Sequence, residues 1–329
     1  MRLKQVKTKR RGFVVVVVLC MIITLGVLLL VFNRECRANL RRVDQLRKSK
    51  QALNCATAGL NIAIAIIRDT NDVVANKTLF NPPPDEKTFP IGDGQCAITI
   101  TEENGKLNLN LLKDKNGRLN QIRINQLLRL IDLLNREQPG HSHIGYDLVP
   151  AIIDWTDSDQ EVTCLPFIKH DNLGAESGYY NQLEVPYKCK NGPLEATEEL
   201  LLVKGISEQV FDRLRDYVTV YGEGRININY APKLVIESIS EKMDRTLAQM
   251  IMNKRKLKPF GTIAELRDVP GMTNSIYYAI KKTATIEPTN QFYHVVSQGN
   301  VDHIGHTVTA ILRKNIESNT MEVVLYKEL

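Results

Sequence analysis

Phe13 to Phe32 is an unbroken run of 20 residues without a charge, FVVVVVLCMIITLGVLLLVF. A helix that is apolar on every side needs apolar surroundings on every side, so this segment restricts the fold before any other feature is considered. At 1.5 Å per residue it covers the ~30 Å hydrocarbon layer of a bilayer. A secretory signal peptide has a shorter apolar core of ~7–15 residues and small residues at its cleavage site. Here the run ends in Val31-Phe32-Asn33-Arg34-Glu35-Cys36, which offers no such site. Arg2, Lys4, Lys7, Lys9, Arg10 and Arg11 precede the run. Clustered Lys and Arg stay cytoplasmic, so the bulk of the chain is expected outside the cytoplasm. These six cations also account for the formal charge of +6, since the other 37 Lys and Arg meet 37 Asp and Glu. The body is therefore neutral and carries no general signature of a polyanion-binding surface. Some local basic patches remain, such as Lys254-Arg255-Lys256-Leu257-Lys258, which reads as a solvated charged face.

From Arg34 to about Arg68 there is no proline, and apolar residues recur at Leu40, Val43, Leu46, Leu53, Ala56, Leu60, Ile64 and Ile67. That spacing puts a narrow apolar stripe on one helical face. The apolar helix is expected to run on into this amphipathic one as a rod of about 55 residues, ~80 Å long. An anchor with a coiled-coil stalk and a pilin-type spine both fit that pattern. FNPPPDEKTFPIGDG, Phe80 to Gly94, reads as a loop. Gln95–Glu103 and Lys106–Leu112 then alternate in polarity around Asn104-Gly105, which predicts a β-hairpin. Phe292–Gln298, Thr307–Leu312 and Met321–Tyr326 predict three more strands. Between these two β-rich ends, from Gly117 to about Glu287, the period becomes helical: RLNQIRINQLLRLIDLLNREQ, YDLVPAIIDWTD, ATEELLLVKGISEQVFDRLRDYVTVY and PKLVIESISEKMDRTLAQMIMNKRK. The expected fold is α+β, a long N-terminal helix with a small antiparallel sheet interrupted by a large, mostly helical inserted domain. The boundaries are 1–12 leader, 13–32 apolar helix, 33–70 its amphipathic continuation, 71–114 with 288–329 the α/β domain, and 115–287 the insertion.

Four cysteines lie beyond the membrane segment and its flank: Cys55, Cys96, Cys164 and Cys189. In an oxidising compartment they permit two bridges, Cys164 with Cys189 and Cys55 with Cys96, and buried free thiols fit as well. DWTDSDQE gathers Asp154, Asp157, Asp159 and Glu161, and Glu176 follows in GAESGYY. Such clustered oxygen donors suit a hard cation such as calcium, although the spacing is not that of an EF-hand. An exposed acidic loop is the structural alternative. The carboxylates have no nucleophile or phosphate loop to support general acid–base work, so no catalytic residue is identified and the chain does not read as an enzyme. Of six histidines only His141 and His143 lie close together, in a polar turn. ELLLVKGISEQVFDRL and ELRDVPGMTNSIYYAI each place a glycine, Gly205 or Gly271, between two helices. This resembles the helix-hairpin-helix, whose turn amides hold a phosphate in DNA-binding proteins; the same glycine also serves as a helix C-cap in packing.

With these segments together the chain resembles the K-type minor pseudopilins of the bacterial type II secretion system. KRRGF is similar to a prepilin-peptidase site, and the resemblance implies cleavage after Gly12 to leave a methylated Phe13. The fifth residue after that cut is Val17, where most pilins carry glutamate and K-type proteins do not, which suits a subunit at a filament tip. KLNLNLL, IIDWTDSDQE, GAESGYY, NGPLEATEELLLVKGI and RININYAP resemble the family's order of signatures. The resemblance implies calcium at Asp154, Asp157, Asp159 and Glu176, with Ser177 standing where an acidic residue often follows GAE. It further implies a single-pass protein of the inner membrane, N-terminus cytoplasmic and body periplasmic. Its partners would be the I- and J-type minor pseudopilins, the major pseudopilin, prepilin peptidase and the inner-membrane assembly platform. No nucleic acid is expected. A membrane-anchored DNA-uptake protein using the Gly205 and Gly271 turns, and a minor pilin of a type IV pilus, are the alternative readings.

Overall fold

The computed structural model describes residues 10–69, 88–114, 116–137, 140, 142–168, 172–286 and 290–329. Residues 1–9 of the predicted leader and 80–87 of the predicted loop lie outside the described residues.

Helix α1, Arg10–Asp69, is a single 60-residue helix. Gly12 and Phe13 both sit in its first turns, and its apolar stretch is not buried against any of the described residues. The predicted continuity of apolar and amphipathic halves is observed because no proline interrupts the hydrogen-bond ladder. Only the C-terminal part is covered: Ala52, Ala56, Leu60, Ala63 and Ile67 are buried. They pack on a five-stranded antiparallel sheet of order β1 (Thr88–Ile91), β2 (Gly94–Glu102), β7 (Asn290–Val301), β8 (Ile304–Asn315) and β9 (Thr320–Glu328). The three C-terminal strands are as predicted. Helix and sheet approach closely because small residues meet at the contact. A Cβ on Gly299 would come within 2.1 Å of the Ala52 carbonyl oxygen. At the far end, the buried Lys314 ammonium caps α1 by donating to the Ile67 carbonyl at 2.7 Å.

The same packing encloses the thiols of one expected pair. A Cβ on Gly94 would meet Cys55 Sγ at 2.9 Å, and a Cβ on Gly59 would meet Cys96 Sγ at 3.0 Å. Each thiol thus fills the space over a glycine of the other element, and Cys55 Sγ donates to the Ile91 carbonyl at 3.6 Å. Cys55 and Cys96 are both buried, unbonded thiols.

The predicted hairpin through Asn104-Gly105 does not form. The place beside β2 is taken by β7, with Glu102 opposite Tyr293. Asn104 completes that edge with its side chain, donating to the Asn290 carbonyl at 2.9 Å and accepting from the Phe292 amide at 2.7 Å. Gly105 N–H turns back to Glu102 Oε2 at 2.8 Å, and the chain leaves the sheet. Segment β3, Leu107–Asn108, instead pairs in parallel with β4, Val218–Thr219, in the inserted domain. Leu107, Leu109 and Leu112 belong to the core of that domain, so the insertion starts near Glu103 and not at residue 115.

That core is separate from the one under α1. It is built from α2 (Gln121–Glu137), α3 (Leu148–Thr156), the one-turn α4 (Ser177–Tyr180), a 3₁₀ turn at Thr197–Leu202 and α5 (Glu208–Leu214). Past β4 and the short β5 (Ile226–Asn227) come α6 (Lys233–Ser238), α7 (Arg245–Leu257), a 3₁₀ turn at Ile263–Asp268, α8 (Asn274–Thr283) and β6 (Ala284–Thr285). β5 and β6 pair in parallel. The stretch 232–256, read as helical, is divided into α6 and α7, and Asp244 caps the second helix by accepting from Leu247 N–H. Both predicted hairpin turns form, each a 3₁₀ segment leading to an α-helix, with Gly205 at φ +83° and Gly271 at φ +85°. Only glycine adopts that left-handed conformation without strain.

Candidate metal centre

Helix α3 is almost wholly apolar and buried, its last turn carries Asp154 and its C-cap is Asp157. It stops at Asp157, whose backbone is extended. The chain then swings out through Asp159 and Glu161 and returns at Gly174-Ala175-Glu176, where Glu176 is only 4% exposed. The return is close enough that a Cβ on Gly174 would lie 2.1 Å from Asp154 Oδ2, so the site requires glycine there.

One oxygen from each of Asp157, Asp159 and Glu176 lies within 4.8 Å of the others. Oxygens bound to a single Ca²⁺ at 2.3–2.6 Å stand no more than ~5.2 Å apart, so the triplet fits one such ion. Asp154, the fourth predicted ligand, is not in this triplet. Its Oδ1 accepts from Thr163 N–H at 2.9 Å, and its Oδ2 has no hydrogen-bond partner among the described residues. The predicted Glu161 stays exposed, contributing only its N–H to Asp159 Oδ1 at 2.8 Å.

Electrostatically the cluster is undersupplied with cations. Lys113 Nζ reaches Asp157 Oδ2 and lies 3.6 Å from Asp159 Oδ2. Burial opposes the charged Lys113, but the two aspartates outweigh it and hold its pKa above the ordinary value. One ammonium does not neutralise four carboxylates. Asp157 Oδ1, Asp154 Oδ2 and both oxygens of Glu176 are buried without a hydrogen-bond partner among the described residues. Burial, reinforced by Asp154 and Asp157, pushes the Glu176 carboxyl up to about 7. Burial likewise raises Asp154, with Asp157 adding to the effect. Buried acceptors are normally satisfied, so a carboxylate cluster with this many buried oxygens lacking partners is an arrangement that a hard divalent cation would complete.

Two contributors were not visible in the sequence reading. Lys113 follows the KLNLNLL strand signal and carries no mark of its role. Asn191, at φ +49°, donates its side-chain N–H to the Asp159 carbonyl and leaves Oδ1 buried without a partner among the described residues. Beneath the cluster the only tryptophan, Trp155, packs edge-on against Tyr180 at 5.2 Å and Tyr187 at 6.2 Å. Cys189 lies here too, its Sγ donating to the Asp154 carbonyl at 3.5 Å, while Cys164 is exposed. These two thiols are likewise unbonded, and burial pushes the Cys189 thiol up to about 12. At the first hairpin turn, a Cβ on Gly205 would stand 3.2 Å from Asp147 Oδ2. The protein's own carboxylate thus occupies the space over the glycine, where a phosphate would meet a like charge.

Two family models, both described as Type II secretion system (T2SS), protein K, match residues 105–223 and 226–287. Together they span more than half of the chain and the whole metal cluster. Type II secretion system protein K of Aeromonas hydrophila is 25% identical over 227 residues, covering 67% of this chain and 66% of that protein. The protein K of Klebsiella pneumoniae is 24% identical over 143 residues, 44% of this chain and 41% of that one. The matches thus span just under two thirds of the first relative's length and two fifths of the second's. In three dimensions the chain is similar to one in the crystal structure of the GspK-GspI-GspJ complex from the enterotoxigenic Escherichia coli type 2 secretion system. The TM-score is 0.64 at 18% identity, over 90% of this chain and 99% of that chain, a likeness of fold.

Proposed function

The chain belongs to the type II secretion system protein K family, and from that premise we propose that it is a minor pseudopilin working at the tip of a periplasmic pseudopilus. The observation that carries this reading is α1. Its N-terminal portion exposes apolar side chains on every face, and its middle exposes Leu40, Val43 and Leu46. Such a helix must be covered, and lipid and neighbouring helices serve equally because both are apolar. Cleavage after Gly12 would free it to pass from bilayer to filament, with Val17 in place of the usual glutamate. The I- and J-type minor pseudopilins are the proposed neighbours, in keeping with the complex in which the similar structure was solved. A bulky insertion on one side of the stalk suits a terminal subunit better than a repeating one.

In this reading the body lies outside the inner membrane. Seven Lys and Arg between Arg34 and Lys50 follow the span and six precede it, so the orientation rests on the leader's likeness to a prepilin-peptidase site and not on the charge difference. Asp157, Asp159 and Glu176 would hold a calcium ion, with Asp154 and Asn191 Oδ1 supporting them. The ion would supply positive charge that fixes the loop between α3 and α4. N-terminal mass spectrometry of the native protein tests the assignment: the expected species begins at methylated Phe13, and an intact chain retaining Met1 as the working form refutes it.

A further inference from the structure

Immediately beyond the apolar run, α1 carries Arg34, Arg37, Arg41, Arg42, Arg47, Lys48 and Lys50 against only Glu35 and Asp44. Arg34, Arg37, Arg41 and Lys48 follow one another at steps of three, four and seven, which places them on one helical face. The same spacing leads on through Ala52, Cys55 and Gly59, the face that packs on the sheet. The stripe therefore lies on the head's side of the stalk, and Val43 and Leu46 are turned away from it. Lys48 marks the head's lower edge: it pairs with Asp302 in the β7–β8 turn at 3.1 Å and with Asp44 at 2.9 Å. Below that edge Arg34, Arg37, Arg41, Arg42 and Arg47 are exposed, and among the described residues none of them has an ion pair.

The height of these arginines above the bilayer follows from helix geometry. Counted from Phe32, Arg34 stands ~3 Å and Arg37 ~7.5 Å above the hydrocarbon boundary, within or at the edge of a headgroup layer ~5–7 Å deep. Arg41 and Arg42 stand ~14 Å up, within about a Debye length of that layer. We infer that Arg34, Arg37, Arg41 and Arg42 form a collar that binds the phosphates of anionic phospholipids in the leaflet beneath the head. A planar guanidinium donates two parallel hydrogen bonds to phosphate oxygens, a geometry that lysine lacks. A solvated charged face requires no alignment with the bilayer, whereas this stripe begins at the hydrocarbon boundary and stops where the head begins. The collar would hold the stalk upright and oppose its withdrawal from the membrane. The inference rests on Phe13–Phe32 spanning a bilayer.

The test uses the full chain in nanodiscs of phosphatidylethanolamine with a minority of phosphatidylglycerol, and native mass spectrometry to count the lipids that stay bound. Arg2, Lys4, Lys7, Lys9, Arg10 and Arg11 are first replaced by Gln, so that the leader's own attraction for anionic lipid is removed. In that background phosphatidylglycerol should be retained roughly five-fold or more above its bulk share. Adding Arg34→Gln, Arg37→Gln, Arg41→Gln and Arg42→Gln should return it to the bulk share, with helix content and head melting unchanged. Lys256→Gln, Lys258→Gln, Lys281→Gln and Lys282→Gln on the inserted domain should leave the enrichment intact. Retention at the bulk share before the collar is altered overturns the inference. So does equal loss with the inserted-domain set, or a collar variant that loses only co-purifying subunits while its lipids are unchanged. A chain that fails to enter nanodiscs refutes the span itself and is read out separately.

Discussion

Replacing Glu176 by Gln should change stability with opposite signs depending on the cation present. In the folded protein the Glu176 carboxyl titrates at about 7, raised from 4.5 by burial and by Asp154 and Asp157. The folded state therefore holds its proton over a pH range in which the unfolded chain has lost it, so stability falls as pH rises from about 4.5 and the decline is complete above about 7. At 1.36 kcal/mol for each pH unit between the two values, the loss is about 3 kcal/mol for this 4% exposed group. For a domain the size of the insertion that corresponds to about 6–12 °C in melting temperature. In chelator, native protein and Glu176→Gln should melt together at pH 5, and the variant should melt higher at pH 8. In calcium the order should reverse at pH 8, since the native carboxylates gain an ion that the variant binds poorly. Trp155 fluorescence, reporting from the aromatic cluster beneath the site, follows the transition in detergent-solubilised protein. Parallel pH profiles for the two proteins in chelator, or a native profile unchanged by calcium, would refute the reasoning.

Other consequences can be measured alongside. Glu102, 5% exposed at the junction of sheet and insertion, is pushed up to about 8 by burial, against the stabilising contacts from Asn227 and Gly105. Glu102→Gln should therefore remove a second pH-dependent loss of up to about 5 kcal/mol, in the same direction but insensitive to calcium, as read from denaturant midpoints at pH 5 and pH 8. Gly299→Ala forces a Cβ to 2.1 Å from the Ala52 carbonyl oxygen and should cost about 3 kcal/mol or more in urea unfolding of the head; a neutral result would mean that helix and sheet do not pack this closely. Lys314→Met strips the cap from the Ile67 carbonyl and should cost about 2–3 kcal/mol, with faster amide exchange confined to the last turns of α1.

The elements legible in the residues were those whose signal is local. Twenty apolar residues without a charge define α1 wherever they occur, and the alternation in β7 to β9 and the helical period of α2 repeat within a few residues of themselves. The glycines of both hairpin turns were readable for the same reason, since a left-handed position needs glycine whatever surrounds it. The misread hairpin shows where this ends. Asn104-Gly105 has the composition of a tight turn, yet Asn104 serves to finish the edge of β7, nearly 190 residues downstream. Local composition carries no information about which distant strand will compete for a position.

The candidate metal centre divides along the same line. The acidic residues could be collected from the sequence, but not the geometry that sets Asp157, Asp159 and Glu176 together, leaves Asp154 beside them and adds Lys113 and Asn191. Nor could residue spacing say that Cys55 and Cys96 would each face a glycine. The sequence alone determined that this chain has an all-apolar helix running into a stalk and a separate helical insertion, because period and polarity are properties of neighbouring residues. Tertiary structure decided which carboxylates share a site and how many of their oxygens lack partners, because those depend on where segments far apart along the chain come to rest against one another.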